Sequence, residues 1–127
     1  MSDMVVISSS LSYGEAIARL LAAIESRGLQ VFARIDHAAG ARTAGLELAD
    51  EEVVIFGSPL AGTPLMGSDP RVGIELPLRM LVWQDADGVR LGYRDPHELA
   101  GTYDLAGHEQ TLDGMSRLLA ALAAAAG

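Results

Sequence analysis

Arg79 to Gln84 and Val89 to Arg94 both read as strands, and the four residues between them, Asp85-Ala86-Asp87-Gly88, contain the Asp-Gly pair typical of tight hairpins. Strands joined by so short a link are antiparallel neighbours, because a parallel crossover needs a dozen residues or more. The rest of the chain must therefore be built around an antiparallel sheet.

Met4-Val5-Val6-Ile7 is β-branched and reads as a short strand, punctuated by Ser8-Ser9-Ser10. Ser12 and Glu15 have capping-box spacing, and Ile17, Leu20, Leu21 and Ile24 then lie on one helical face that Gly28 brings to a left-handed stop. Gln30 to Ile35 alternates, with Val31, Ala33 and Ile35 on one side and Phe32 and Arg34 on the other. Asp36 is placed to cap a short alanine-rich helix from His37 to about Ala44, closed by Gly45; Leu46 and Leu48 form a brief extended stretch, and Val53-Val54-Ile55-Phe56 is a buried strand ending at Gly57.

Four of the five prolines fall between Pro59 and Pro77, so Gly57 to Pro77 is expected to be irregular, with at most a single turn starting at Pro64 and capped by Thr63. Asp95-Pro96-His97-Glu98 is a second capping box whose short helix ends at Gly101. The last helix, about His108 to Ala125, steps its apolar face through Leu112, Met115, Leu119 and Leu122, and its alanine-rich final turns are expected to fray. With 127 residues the expectation is one domain over residues 1–127, in the α+β class, with a mainly antiparallel sheet and two long helices on one face.

Composition removes whole classes of chemistry. All nine cations are Arg against 17 acids, a net charge of −8, which disfavours nucleic acid as a partner. With no Lys there is no Schiff-base or P-loop lysine, and with no Cys there is no disulfide, thiolate nucleophile or iron–sulfur ligand. Leu118 to Ala126, the longest apolar run, falls well short of the ~20 residues of a membrane span. The N-terminal segment lacks a signal-peptide pattern, so a cytoplasmic location and no membrane association are expected.

Ile35-Asp36-His37, Phe56-Gly57-Ser58-Pro59, Gly62-Thr63-Pro64-Leu65-Met66, the run Leu76-Pro77-Leu78-Arg79-Met80-Leu81-Val82-Trp83, and Tyr93-Arg94-Asp95-Pro96 follow one another along the chain. In order and spacing they resemble the bacterial and archaeal family known as domain of unknown function 302. The resemblance implies a fold similar to the TATA-box-binding-protein-like class, with the order β-α-β(4)-α, and a homodimer. Ser58 stands where that family more often has Asn. The resemblance implies no reaction and no catalytic residues.

The candidate site joins two places where regular structure is interrupted after a strand. One is the Asp36-His37 junction, where His37 is a candidate metal or haem-iron ligand and Asp36 would fix its tautomer. The other is the Gly57-to-Met66 segment, where Gly57, Ser58, Gly62 and Thr63 offer backbone N–H and hydroxyl groups and Met66 a soft sulfur. Each has a plain structural reading: an N-cap for Asp36, a first-turn position for His37, a turn-rich connection for the loop and core filling for Met66. His97 and His108 read as surface residues. Arg34 and Arg79 are candidates for a bound carboxylate, although nearby acids are more apt to pair them. The expected function is a non-catalytic, homodimeric binder of a small molecule or cofactor, with haem the sharpest case. The alternatives are a small hydrolase with His37 as general base, or a structural interaction module.

Overall fold

The structure, a computed structural model, describes residues 4–127. Five strands form one antiparallel sheet in the order β1-β5-β4-β3-β2, where β1 is Val5–Ser9, β2 Gln30–Asp36, β3 Glu51–Gly57, β4 Leu78–Asp85 and β5 Gly88–Tyr93. The hairpin registers with Asp85 opposite Gly88, so Ala86-Asp87 is the two-residue loop and Gly88 is already paired. Asp85 steadies the loop by accepting the Asp87 N–H at 2.8 Å. The β-α-β(4)-α order and the α+β class are as expected, with shorter helices inserted between strands.

Helix α1 (Tyr13–Ser26) is capped by Ser12, whose hydroxyl accepts the Glu15 N–H at 3.2 Å and donates to the Glu15 carboxylate at 2.9 Å. Gly28, at φ +71°, and Leu29 close it with bonds to the Glu25 and Ile24 carbonyls, the Schellman arrangement that the glycine predicted. Helix α2 (His37–Thr43) is capped by Asp36, which accepts the Ala39 N–H at 2.8 Å. Leu46 does not open a strand: its N–H bonds the Ala41 carbonyl and finishes α2. The next strand starts at Glu51.

The proline-rich segment differs from expectation. Ser58 and Pro59 start a ten-residue helix, α3 (Pro59–Ser68), in which Pro64 is an interior residue, followed by a 3-10 helix over Pro70–Glu75. Ser58 supplies the cap and Pro59 the pre-set first φ, two start signals that outweigh the one ladder bond Pro64 forfeits. A second 3-10 helix, Pro96–Gly101, leads to α4 (Glu109–Ala126).

Helices α1 and α4 pack together on one face of the sheet. The main core joins Leu20 and Ile24 of α1 to Val54, Phe56, Met80, Val82 and Leu91 of the sheet and Leu119 and Leu122 of α4, all essentially inaccessible. A smaller cluster of Leu65, Val72, Leu105, Leu112 and Met115 lies under α3, and Leu78 touches both. The alanine-rich end of α4 is held rather than frayed. Ala123 and Ala126 are buried, because small side chains let the helix approach closely, and the Ser9 hydroxyl donates to the Ala126 carbonyl at 2.6 Å.

Alternation in β2 is broken by a bulge between Val31 and Ala33. Val31 packs against the main core, whereas Ile35 remains 45% exposed on the open face, so the expected single apolar side is split. Arg34 reaches the buried carboxylate of Glu52 with two bonds, at 2.6 and 3.2 Å. This is the structural pairing of Arg34, with Glu52 as the acid.

Candidate functional site

The β3–α3 junction, the start of β2, the Leu76–Leu78 segment and the first half of α4 line a cavity of about 580 Å³. Two of the walls are helical. Along α3, the whole first turn from Pro59 to Thr63 lines the cavity together with Met66, with Gly57 and Ser58 leading into it. Along α4, Thr111, Gly114, Met115 and Leu118 step by three, one and three, along one face. Leu29 and Phe32 close the side next to β2, at the bulge.

Among the described residues, none that lines the cavity carries an ionisable side chain. The polar groups are the hydroxyls of Ser58, Thr63 and Thr111; Ser58 accepts the Leu60 N–H at 3.2 Å, and the other two have no intramolecular partner among the described residues. Two glycines keep the space open. A Cβ on Gly62 would meet Leu76 Cδ1 at 3.4 Å, while one on Gly114 would meet nothing within 4 Å although Gly114 lies inside α4. Glycine there costs helix stability of about 1 kcal/mol relative to Ala and gains no contact in return.

Gly57, Ser58, Gly62, Thr63 and Met66 are thus brought together, but Asp36 and His37 are not among them. Gln30 pairs with Gly57 at one end of β2 and Asp36 with Glu52 at the other, a separation of about 20 Å at strand rise. The expected joint site is not formed: His37 is exposed at the start of α2 and lines neither this cavity nor the next, and Asp36 is engaged as a helix cap. Among the described residues no group of three or more His, Cys, Asp or Glu is placed to hold a metal.

A second cavity, about 550 Å³, adjoins the first across Leu78 and mixes Glu75, Asp95 and Glu98 with Arg79 and Arg94. Beside it stands an arrangement that motif spacing does not reveal. His97, exposed, places Nδ1 2.8 Å from Asp95 and bonds Asp113 of α4 through Nε2. Both partners are acceptor carboxylates, so only the doubly protonated ring satisfies both contacts. The Asp113 bond, then the Asp95 bond, raise the His97 pKa. Burial pushes Asp95 up, but hydrogen bonds from His97 outweigh it and leave the carboxyl below its ordinary value.

The raised imidazole pKa gives a stabilising contribution that is complete below the unfolded histidine value of about 6.5 and is lost as pH rises through the folded value. His97→Gln is therefore expected to lower Tm most at mildly acidic pH and least in alkaline buffer. A Tm difference that is constant across pH would contradict the clamp.

Asp69 has the opposite sign. The Arg71 guanidinium and the Asp104 N–H hold its carboxyl well below the usual range. Its contribution is present above the unfolded value and lost as pH falls.

Comparison with known proteins places this architecture. A family model described as Domain of unknown function DUF302 matches residues 5–122. A crystal structure of an uncharacterized conserved DUF302 protein from Bacillus stearothermophilus superposes with a TM-score of 0.87 over 98% of each chain at 18% identity, a likeness of fold. Proteins named Fluoride-specific ion channel FluC 1, from Brucella suis and Brucella abortus, are 44% identical over 105 residues, 82% of this chain. The chain spans about two-fifths of their length, 41% and 39% respectively. No helix among its described residues is long and apolar enough to cross a membrane. With the family model covering all but the ends, and the motifs around Gly57, Pro77 and Asp95 set on the observed sheet and α3, the chain belongs to the DUF302 family.

Proposed function

We propose that this chain is a non-catalytic module that binds a small, largely apolar molecule in the cavity between α3 and α4. One observation carries the reading: about 580 Å³ of recessed space walled by apolar groups and hydroxyls, within the ordinary size range of small-molecule sites. Among the described residues the lining holds no general acid or base, which favours binding over catalysis. The hydrolytic alternative loses its geometry, since His37 stands about 20 Å of strand from Ser58 and Thr63. By the same separation, haem held through His37 would lie outside this cavity.

In the Brucella proteins the matched stretch is the minor part of a chain named as a fluoride-specific channel; we read this chain as the counterpart of that stretch, with the ion pathway left to the unmatched part. We place the expected second copy on the open sheet face, where Val6 and Ile35 are 48% and 45% exposed. Light scattering that returns a single-copy mass removes the dimer from this reading.

The neutral fluorophore N-phenyl-1-naphthylamine tests the cavity. Saturable binding at one site per chain, with the blue shift of an apolar environment, is the expected result. A linear, unsaturable response overturns the proposal.

A further inference from the structure

Resting on the cavity reading just proposed, we infer that the occupant is electrically neutral: an apolar body ending in a hydroxyl or carbonyl, in preference to a carboxylate, phosphate or amine. The α3 wall, from Pro59 to Ser68, contains no ionisable residue, and neither do the cavity-facing positions Thr111, Gly114, Met115 and Leu118 of α4. A charged group seated against such a lining gives up part of its hydration and meets no counter-charge from the described residues that line it. The ionic groups nearest in sequence to α3 are already committed, because Asp69 accepts from Arg71 at 2.8 and 3.0 Å and from the Asp104 N–H at 2.9 Å. The net charge of −8 further repels anions.

What the lining does offer is hydroxyl chemistry from both sides. Thr63 on α3 and Thr111 on α4 are without intramolecular partners among the described residues, and each hydroxyl both donates and accepts. A neutral hydroxyl or carbonyl on the ligand satisfies either one without an ionic desolvation cost. Leu60 and Met66, lining residues that are 88% and 38% exposed, present an apolar surface at the cavity for the rest of the molecule.

The test is displacement of N-phenyl-1-naphthylamine from the intact chain at pH 8 by 1-decanol, decanoate and decylammonium, which share one tail and differ in charge. Decanol is expected to compete at about tenfold lower concentration, or better, than either ion. Thr111→Val, nearly isosteric, should weaken decanol by a few-fold to about tenfold while the thermal melt stays close to native, the signature of a lost hydrogen bond in an intact fold.

If the fluorophore binds saturably but decanoate or decylammonium competes as well as decanol, the neutrality inference falls and the cavity stands. If the fluorophore does not bind saturably, the cavity reading falls and this inference with it.

Discussion

Gly114→Phe is expected to weaken binding in the cavity by one to two orders of magnitude, roughly, while leaving the fold intact. Gly114 lies inside α4, faces the cavity, and has nothing within 4 Å of the place where a Cβ would stand. A benzyl group there enters empty space rather than a packed neighbour. It takes up apolar surface a ligand would otherwise cover, and one buried side chain of that size is worth about 1.5–3 kcal/mol, or roughly 10- to 150-fold in affinity. Titration with N-phenyl-1-naphthylamine, alongside a thermal melt, reads both halves of the expectation. Gly114→Ala is the companion variant, gaining about 1 kcal/mol of helix stability while keeping affinity within about twofold. Native-level binding by the Gly114→Phe variant would show that the fluorophore sits elsewhere.

Phe56→Ala is expected to destabilise the fold more than any other of these substitutions. Phe56 is completely buried on β3, opposite Val31 of β2 and Leu78 of β4, and its ring belongs to the main core. Truncation removes its transfer energy and leaves a cavity, at a cost of about 3–5 kcal/mol and a fall in Tm of roughly 10–20 °C for a chain of this size. That is a large part of the roughly 5–15 kcal/mol that usually holds a domain together. Phe32, the other phenylalanine, is 45% exposed at the β2 bulge and lines the cavity. Phe32→Ala should cost about 1 kcal/mol or less in stability and act mainly on binding. Equal losses in the two variants, measured by circular dichroism on heating, would contradict the assigned core.

The contrast between these phenylalanines shows what the chain made legible. Local signals carried the elements: the Asp85-to-Gly88 link, the Ser12 cap, the Gly28 stop and the α4 stripe from Leu112 to Leu122 each act within a few residues, and each stands in the structure as its spacing implies. Competing local signals misled at α3, where proline count obscured a Ser58-Pro59 start, and in β2, where one bulge residue re-aimed the side chains that follow.

The cavity itself has one wall readable from sequence, since Gly57 to Met66 is a contiguous unusual segment. Its facing wall, from Thr111 to Leu118, is set by tertiary packing alone. The only hint was a glycine at position 114 inside a strong helix pattern. The Asp36-His37 motif drew attention by chemistry, but sheet register puts it at the far end of β2. Likewise the His97 clamp joins residues sixteen apart and needed the docking of α4 to exist.

The most direct test of the cavity is a titration of 1-decanol into protein with ¹³C-labelled methionine methyls, followed by NMR. Met66 and Met115 line the cavity, Met80 is sealed in the main core, and Met4 covers Gly92 of β5, away from the cavity. Saturable shifts of the Met66 and Met115 methyls are expected, with Met80 and Met4 unmoved. Shifts confined to Met4, or none at Met66 and Met115, would place binding outside the cavity and contradict the proposal.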